Sequence, residues 1–185
     1  MKIIFTKQEK IELLETALSW LVVLMMSLYG FGKIMQFNGA TEIDKTVSEL
    51  TAMEIMWTFY GHSLPFALII GVFEITGALL MFFKRTRLIG CFLITTILIN
   101  VIIQDIIYEV HKGALYAAII YQVLTIIILW MNKTKLIAAF TILTKYNKPK
   151  RSSRKKIIRF IILFLMLIIL FFFQYFLTSF LSHLH

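Results

Sequence analysis

The stretch Leu64 to Tyr108, LPFALIIGVFEITGALLMFFKRTRLIGCFLITTILINVIIQDIIY, decides how this chain folds. Two apolar runs are joined by the basic turn Lys84-Arg85-Thr86-Arg87, and each run is about the length a helix needs to cross a hydrocarbon core of roughly 30 Å. The first run carries one charge, Glu74, and the second gathers Asn100, Gln104 and Asp105 toward its far end. Hydrocarbon cannot hydrogen-bond these groups, so a bundle built on this hairpin must turn them toward protein or toward a polar cavity.

The rest of the composition agrees. With 185 residues, 59% of them hydrophobic and 17 of them Phe, the chain is more apolar than one soluble core could bury. It reads as an all-α integral membrane helical bundle. A net charge of +9 would suggest nucleic acid in a soluble protein. Here Lys and Arg flank apolar runs and read as topology signals and anionic-lipid contacts, so the lipid bilayer is the expected partner and nucleic acid is not. A single cysteine, Cys91, excludes chemistry by a cysteine pair within the chain and reads as a small buried residue.

Working outward from the hairpin, the first span is ALSWLVVLMMSLYGFGKIM, Ala17 to Met35. A cleavable signal peptide is its rival reading, but no small-x-small site follows the apolar core, so the span is expected to remain. Its end carries Lys33, placed to snorkel toward the interface, and Gln36. In residues 37–63 the apolar positions Ile43, Val47, Leu50, Met53 and Trp57 recur at three and four, which predicts an amphipathic extracytoplasmic lid helix that Thr41 could cap. After the turn Glu109 to Gly113 come a fourth span, ALYAAIIYQVLTIIILWM, and the basic segment YNKPKRSSRKK. A fifth, nearly featureless apolar run closes the chain.

Five transmembrane helices are thus expected. Residues 1–132 form a four-helix unit that includes the lid at 37–63, residues 133–156 a basic cytoplasmic segment, and residues 157–185 the fifth transmembrane helix. The Lys and Arg bias of the short loops places the amino terminus in the cytoplasm and the carboxyl terminus outside, in a multi-pass protein of the inner (plasma) membrane.

Small residues surround the first buried charge. Gly71 and Gly77 lie three residues on either side of Glu74, which puts the carboxylate on a face that a neighbouring helix can approach closely. In the returning run Thr96, Asn100, Gln104 and Tyr108 are spaced by four and form one stripe, with Asp105 pointing somewhat away from it. Counted at about 1.5 Å per residue, Glu74 is roughly 15 Å from Leu64 and Asn100 roughly 12 Å from Tyr108, so the two share a depth. Lys33, Gln36, Glu74, Asn100, Gln104, Asp105 and Tyr108 are therefore the candidate residues of an outward-facing ligand site. The competing reading is a buried polar clasp that fixes helix register. His62 and His111 lack a third ligand unless Asp105 or Glu109 supplies one, so no metal is expected. No phosphate-binding loop, dinucleotide fingerprint or Ser-His-Asp set appears, and no residue is assigned a catalytic role.

The segments Tyr29-Gly30-Phe31-Gly32-Lys33 with Gln36-Phe37, Phe73-Glu74-Ile75-Thr76-Gly77-Ala78-Leu79-Leu80, Arg85-Thr86-Arg87-Leu88-Ile89-Gly90, Asn100-Val101 and Asp105 together resemble the DoxX-like membrane proteins. The resemblance spans about Ser27 to Met131 and leaves out the long lid and the fifth span. It implies a four-helix bundle. Some relatives are associated with quinone-linked oxidation of sulfur compounds or with oxidative-stress redox complexes. The resemblance thus implies a membrane subunit or accessory of a redox system, with a quinone as cofactor and a redox protein as partner. A small transporter and a non-catalytic assembly factor are the alternatives.

Overall fold

A computed structural model describes residues 5–42, 44–146 and 153–182. Among them the regular structure is entirely helical: α1 (Lys7–Gln36), α2 (Ala52–His62), α3 (Leu64–Phe82), α4 (Arg87–Ile107), α5 (Lys112–Met131), α6 (Lys133–Thr144) and α7 (Ser153–Ser182), with a short 3-10 turn at Val47–Glu49. Among the described residues five helices are long and apolar enough to cross a membrane: α1, α3, α4, α5 and the Arg154–Leu181 part of α7.

The chain divides into two compact units, Met1–Phe140 and Thr141–His185. In the first, α1, α3, α4 and α5 pack in a closed ring, each against two neighbours, and α2 rests on α3. Glycines set how closely two of these pairs approach. A Cβ on Gly71 would stand 2.6 Å from the Gly30 carbonyl, and a Cβ on Gly90 would press into the Met81 amide nitrogen. Such contacts let α3 touch the backbones of α1 and α4 directly. Inside the ring, Val22, Met26, Met81, Ile94, Leu98 and Ile128 form the apolar core. Outside it, Ile69, Val72, Phe92 and Ile103 are exposed, as lipid-facing residues are.

Local chemistry sets the helix ends. Thr6 and Glu9 close a capping box at the start of α1, and Pro65 lies in the first turn of α3, where its missing N–H costs nothing. The turn between α3 and α4 is held by the Thr86 hydroxyl, which donates to the Leu80 carbonyl at 2.7 Å. Arg87 opens α4 rather than ending the turn, and it is buried.

Residues 37–63 depart from the single amphipathic helix that the periodicity predicts. Two capping boxes in succession, Thr46 with Glu49 and Thr51 with Glu54, restart the backbone and leave only the 3-10 turn and the 11-residue α2 as helix. A threonine that accepts from an amide three residues on holds its own backbone extended, which breaks a continuous helix. Thr51, and not Thr41, is the cap of α2, and Val47 is 76% exposed instead of lying on an apolar face. Ile43 lies outside the described residues.

The second unit contains α7, one helix of 30 residues. It opens on Arg154, Lys155 and Lys156 and runs apolar to Ser182. The basic segment at 147–152 and the histidines 183 and 185 lie outside the described residues.

Candidate functional site

The site forms at the end of the ring where α2 sits. α1 brings Lys33 there in its last turn, and the glycine at 71 makes room for it: a side chain at that position would press on Cβ and Cγ of Lys33 at 3.2 Å. The lysine stem can therefore lie along α3. Its ammonium stands 3.8 Å from Glu74 Oε1, donates to Gln36 Oε1 at 2.9 Å and lies 5.6 Å from the centre of the Phe37 ring. Glu74 itself is 2% exposed. Lys33 thus turns inward to a carboxylate instead of snorkelling toward the interface.

Two cross-links tie α2 to the ring. Tyr60 donates its hydroxyl to Gln104 Oε1 at 2.9 Å and stacks on Phe37 with ring centres 4.9 Å apart. Burial raises the Tyr60 phenol above its ordinary range, so the hydroxyl stays a donor. Around this contact Phe37, Ala40, Met56, Tyr60 and Ala67 form a second small core, with Tyr108 packed against it.

Between α1, α3, α4 and α2 lies a cavity of about 560 Å³. Toward α2 it is lined by the polar groups of Lys33, Gln36, Asn100, Gln104 and Asp105, set among Phe37, Met56, Tyr60 and Ile70. Farther from α2, Phe73, Leu93, Thr96 and Ile97 line it. Along α4, Leu93 to Asp105 cover about 18 Å at helical rise, so the cavity is an elongated groove with a polar end and an apolar end. Glu74 stands behind Lys33 rather than on the wall, and Tyr108 belongs to the small core under α2.

Two carboxylates are left incompletely satisfied here. Glu74 Oε2 and Asp105 Oδ2 are buried and accept no hydrogen bond from any described residue. Asp105 is 7% exposed although its place off the 96-100-104-108 stripe predicts that it points away from the cluster. The closing of the ring buries it, which periodicity along one helix cannot foresee. Asn100, by contrast, is exposed and lends its amide to the cavity wall.

Sequence reasoning missed three participants: Phe37, Met56 and Tyr60. The density of aromatic residues from Trp57 to Phe66 was a usable signal for Tyr60. It also missed a second polar site at the opposite end of the ring. There Arg87, 3% exposed, donates to Glu15 Oε1 at 2.9 Å and to the Met81 carbonyl at 3.3 Å. Beside it a pocket of about 570 Å³ is lined by Glu12, Lys84, Arg85 and Lys135 among others.

The histidines serve locally or stand apart. His111 Nδ1 accepts from the Gly113 amide at 3.1 Å and caps α5, and His62 ends α2. Among the described residues no three His, Cys, Asp or Glu side chains form a group that could hold a metal ion. Cys91 is fully buried in the apolar core.

No family model matches the chain, and no solved structure matches it. Over 116 residues it is 30% identical to the uncharacterized protein YwoB of Bacillus subtilis (strain 168), a match covering 61% of this chain and 73% of that protein. The chain therefore belongs to the same family as YwoB.

Proposed function

We propose that this protein binds the polar head of a membrane amphiphile, a quinone or a lipid headgroup, in the cavity under α2, as a membrane subunit or accessory of a redox system. The carrying observation is the polarity gradient along the groove, from Asn100, Gln104 and Asp105 at one end to Leu93, Ile97 and Phe73 at the other. A ligand that matches it has a hydrogen-bonding head and a hydrocarbon tail. For a quinone, the Asn100 amide and the Lys33 ammonium are donors for the ring oxygens, and the tail follows the apolar wall. When bound, a quinone would supply the capacity to take up and release electrons; this chain's own residues bind and orient it. The redox setting comes from the resemblance to DoxX-like proteins carried by the Glu74 and Arg85-Thr86-Arg87 segments.

In this reading α2 acts as an extracytoplasmic lid. The amino terminus is cytoplasmic, the site opens to the outer half of the inner membrane, and α7 is the fifth span. A second reading, a structural or assembly factor, draws on the Lys33–Glu74 pair and the Tyr60–Gln104 bond, which would clasp helices together without any ligand.

Purification in mild detergent or nanodiscs, followed by native mass spectrometry and lipid extraction, separates the two. A quinone or one specific lipid retained by wild type and lost from Glu74→Gln supports the binding site. A well-folded protein carrying no bound molecule in either form supports the clasp.

A further inference from the structure

The acceptors and donors in the cavity are unequal. Glu74 and Asp105 bring two carboxylates to the one ammonium of Lys33, which lies within electrostatic reach of both. With both carboxylates ionised, one negative charge is left without a counter-charge. Lys33 is also already engaged by Gln36 and Phe37. Of the buried side-chain atoms that lack a partner among the described residues, Asp105 Oδ2 is the one whose residue lines the cavity, and it is an acceptor. A donor from the ligand would complete Asp105, and a positive charge would match it in its ionised form.

We propose that the head bound in this cavity is an ammonium: the protein takes an amphiphile with one net positive charge, its N–H donors directed to Asp105 and its hydrocarbon part along Phe73, Leu93 and Ile97. The surroundings suit such a head. Asp105 is nine-tenths buried, lines the cavity and has a carboxylate oxygen with no partner, so the ion pair forms away from water, where charge-assisted hydrogen bonds are strong. Lys33 guards against the alternative of two bound cations, because it already neutralises one of the two carboxylates. A phosphate head, in contrast, would place its charge against Asp105 with only an occupied lysine to answer it.

This inference rests on the reading that the cavity holds an amphiphile head. The full chain in phosphatidylcholine nanodiscs is dialysed against decylammonium, decanol and decyl sulfate, three probes that differ in the head, and against decylubiquinone, with empty nanodiscs subtracted. Saturable binding of decylammonium, at least tenfold tighter than decanol, with no saturable decyl sulfate, is the expected result. Asp105→Asn should raise the decylammonium dissociation constant at least tenfold while Asn100→Ala changes it less. Since the head-group comparison uses wild type alone, it holds even if the Asp105 variant misfolds. Saturable decylubiquinone with no preference for decylammonium would overturn the ammonium head and leave the amphiphile site standing. Saturable binding of none of the probes would overturn both.

Discussion

The ring has a lysine or arginine paired with a glutamate at each end, and the two pairs differ in kind. At the α3–α4 turn Arg87 and Glu15 meet at 2.9 Å, and the guanidinium also donates to the Met81 carbonyl. Near α2 the Lys33 and Glu74 charges stand 3.8 Å apart, beside a second carboxylate and two oxygens with no partner among the described residues. A guanidinium offers five donors in a fixed fork and can satisfy several acceptors at once, whereas an ammonium is a compact point charge. The first pair closes a joint of the fold. The second leaves chemistry over; a cavity lies beside each, and the unpartnered Asp105 oxygen belongs to the one near α2.

Breaking the closed joint should produce the largest effect. Arg87→Ala leaves Glu15 facing a vacated site, and we expect a loss of about 3 kcal/mol, measured by reversible unfolding in mixed micelles. Gly90→Ala is expected to come next, at about 2 kcal/mol, because the new Cβ meets the α3 backbone, which has no rotamer by which to move aside. Glu74→Gln should cost about 1 kcal/mol or less while removing ligand retention. Equal losses of stability for Arg87→Ala and Glu74→Gln would erase the contrast between the two ends and favour the clasp.

Smaller effects sharpen the picture of α2. Tyr60→Phe removes the hydroxyl that Gln104 accepts, and about 1 kcal/mol of protection should disappear from the α2 amides in hydrogen exchange, with the ring helices unchanged. Glu54 gives the smallest signal. A hydrogen bond from Lys45, with those from the Thr51 backbone and side chain, holds its carboxyl down to about 2. A carboxyl depressed in the folded state contributes stability above its ordinary value, and that contribution fades as pH falls through about 2. The Glu54 carboxyl resonance should accordingly titrate with a midpoint near 2, and a midpoint near 4 would show that the α2 cap does not form.

Much of the site could be read from residue types and spacing. Glu74 flanked by Gly71 and Gly77 faces protein because glycines mark where another helix comes close. Lys33, Gln36, Asn100 and Gln104 come together because each lies near the same end of its own helix. What could not be read has a common cause. Asp105 is buried by the closing of the ring, and Arg87 finds its partner on a helix 72 positions away in the chain. The lid periodicity failed for a local reason: threonine capping boxes overrode the apolar spacing.

Sequence alone determined that this is a helical membrane protein with five apolar helices, and which of its helices carry polar groups, because the lengths and composition of hydrophobic runs depend on no partner. Only the tertiary structure decided which of those polar groups are paired and which are left over. Pairing is a relation between side chains on different helices, and distances of an ångström, 2.9 Å against 3.8 Å here, separate a satisfied joint from an open site.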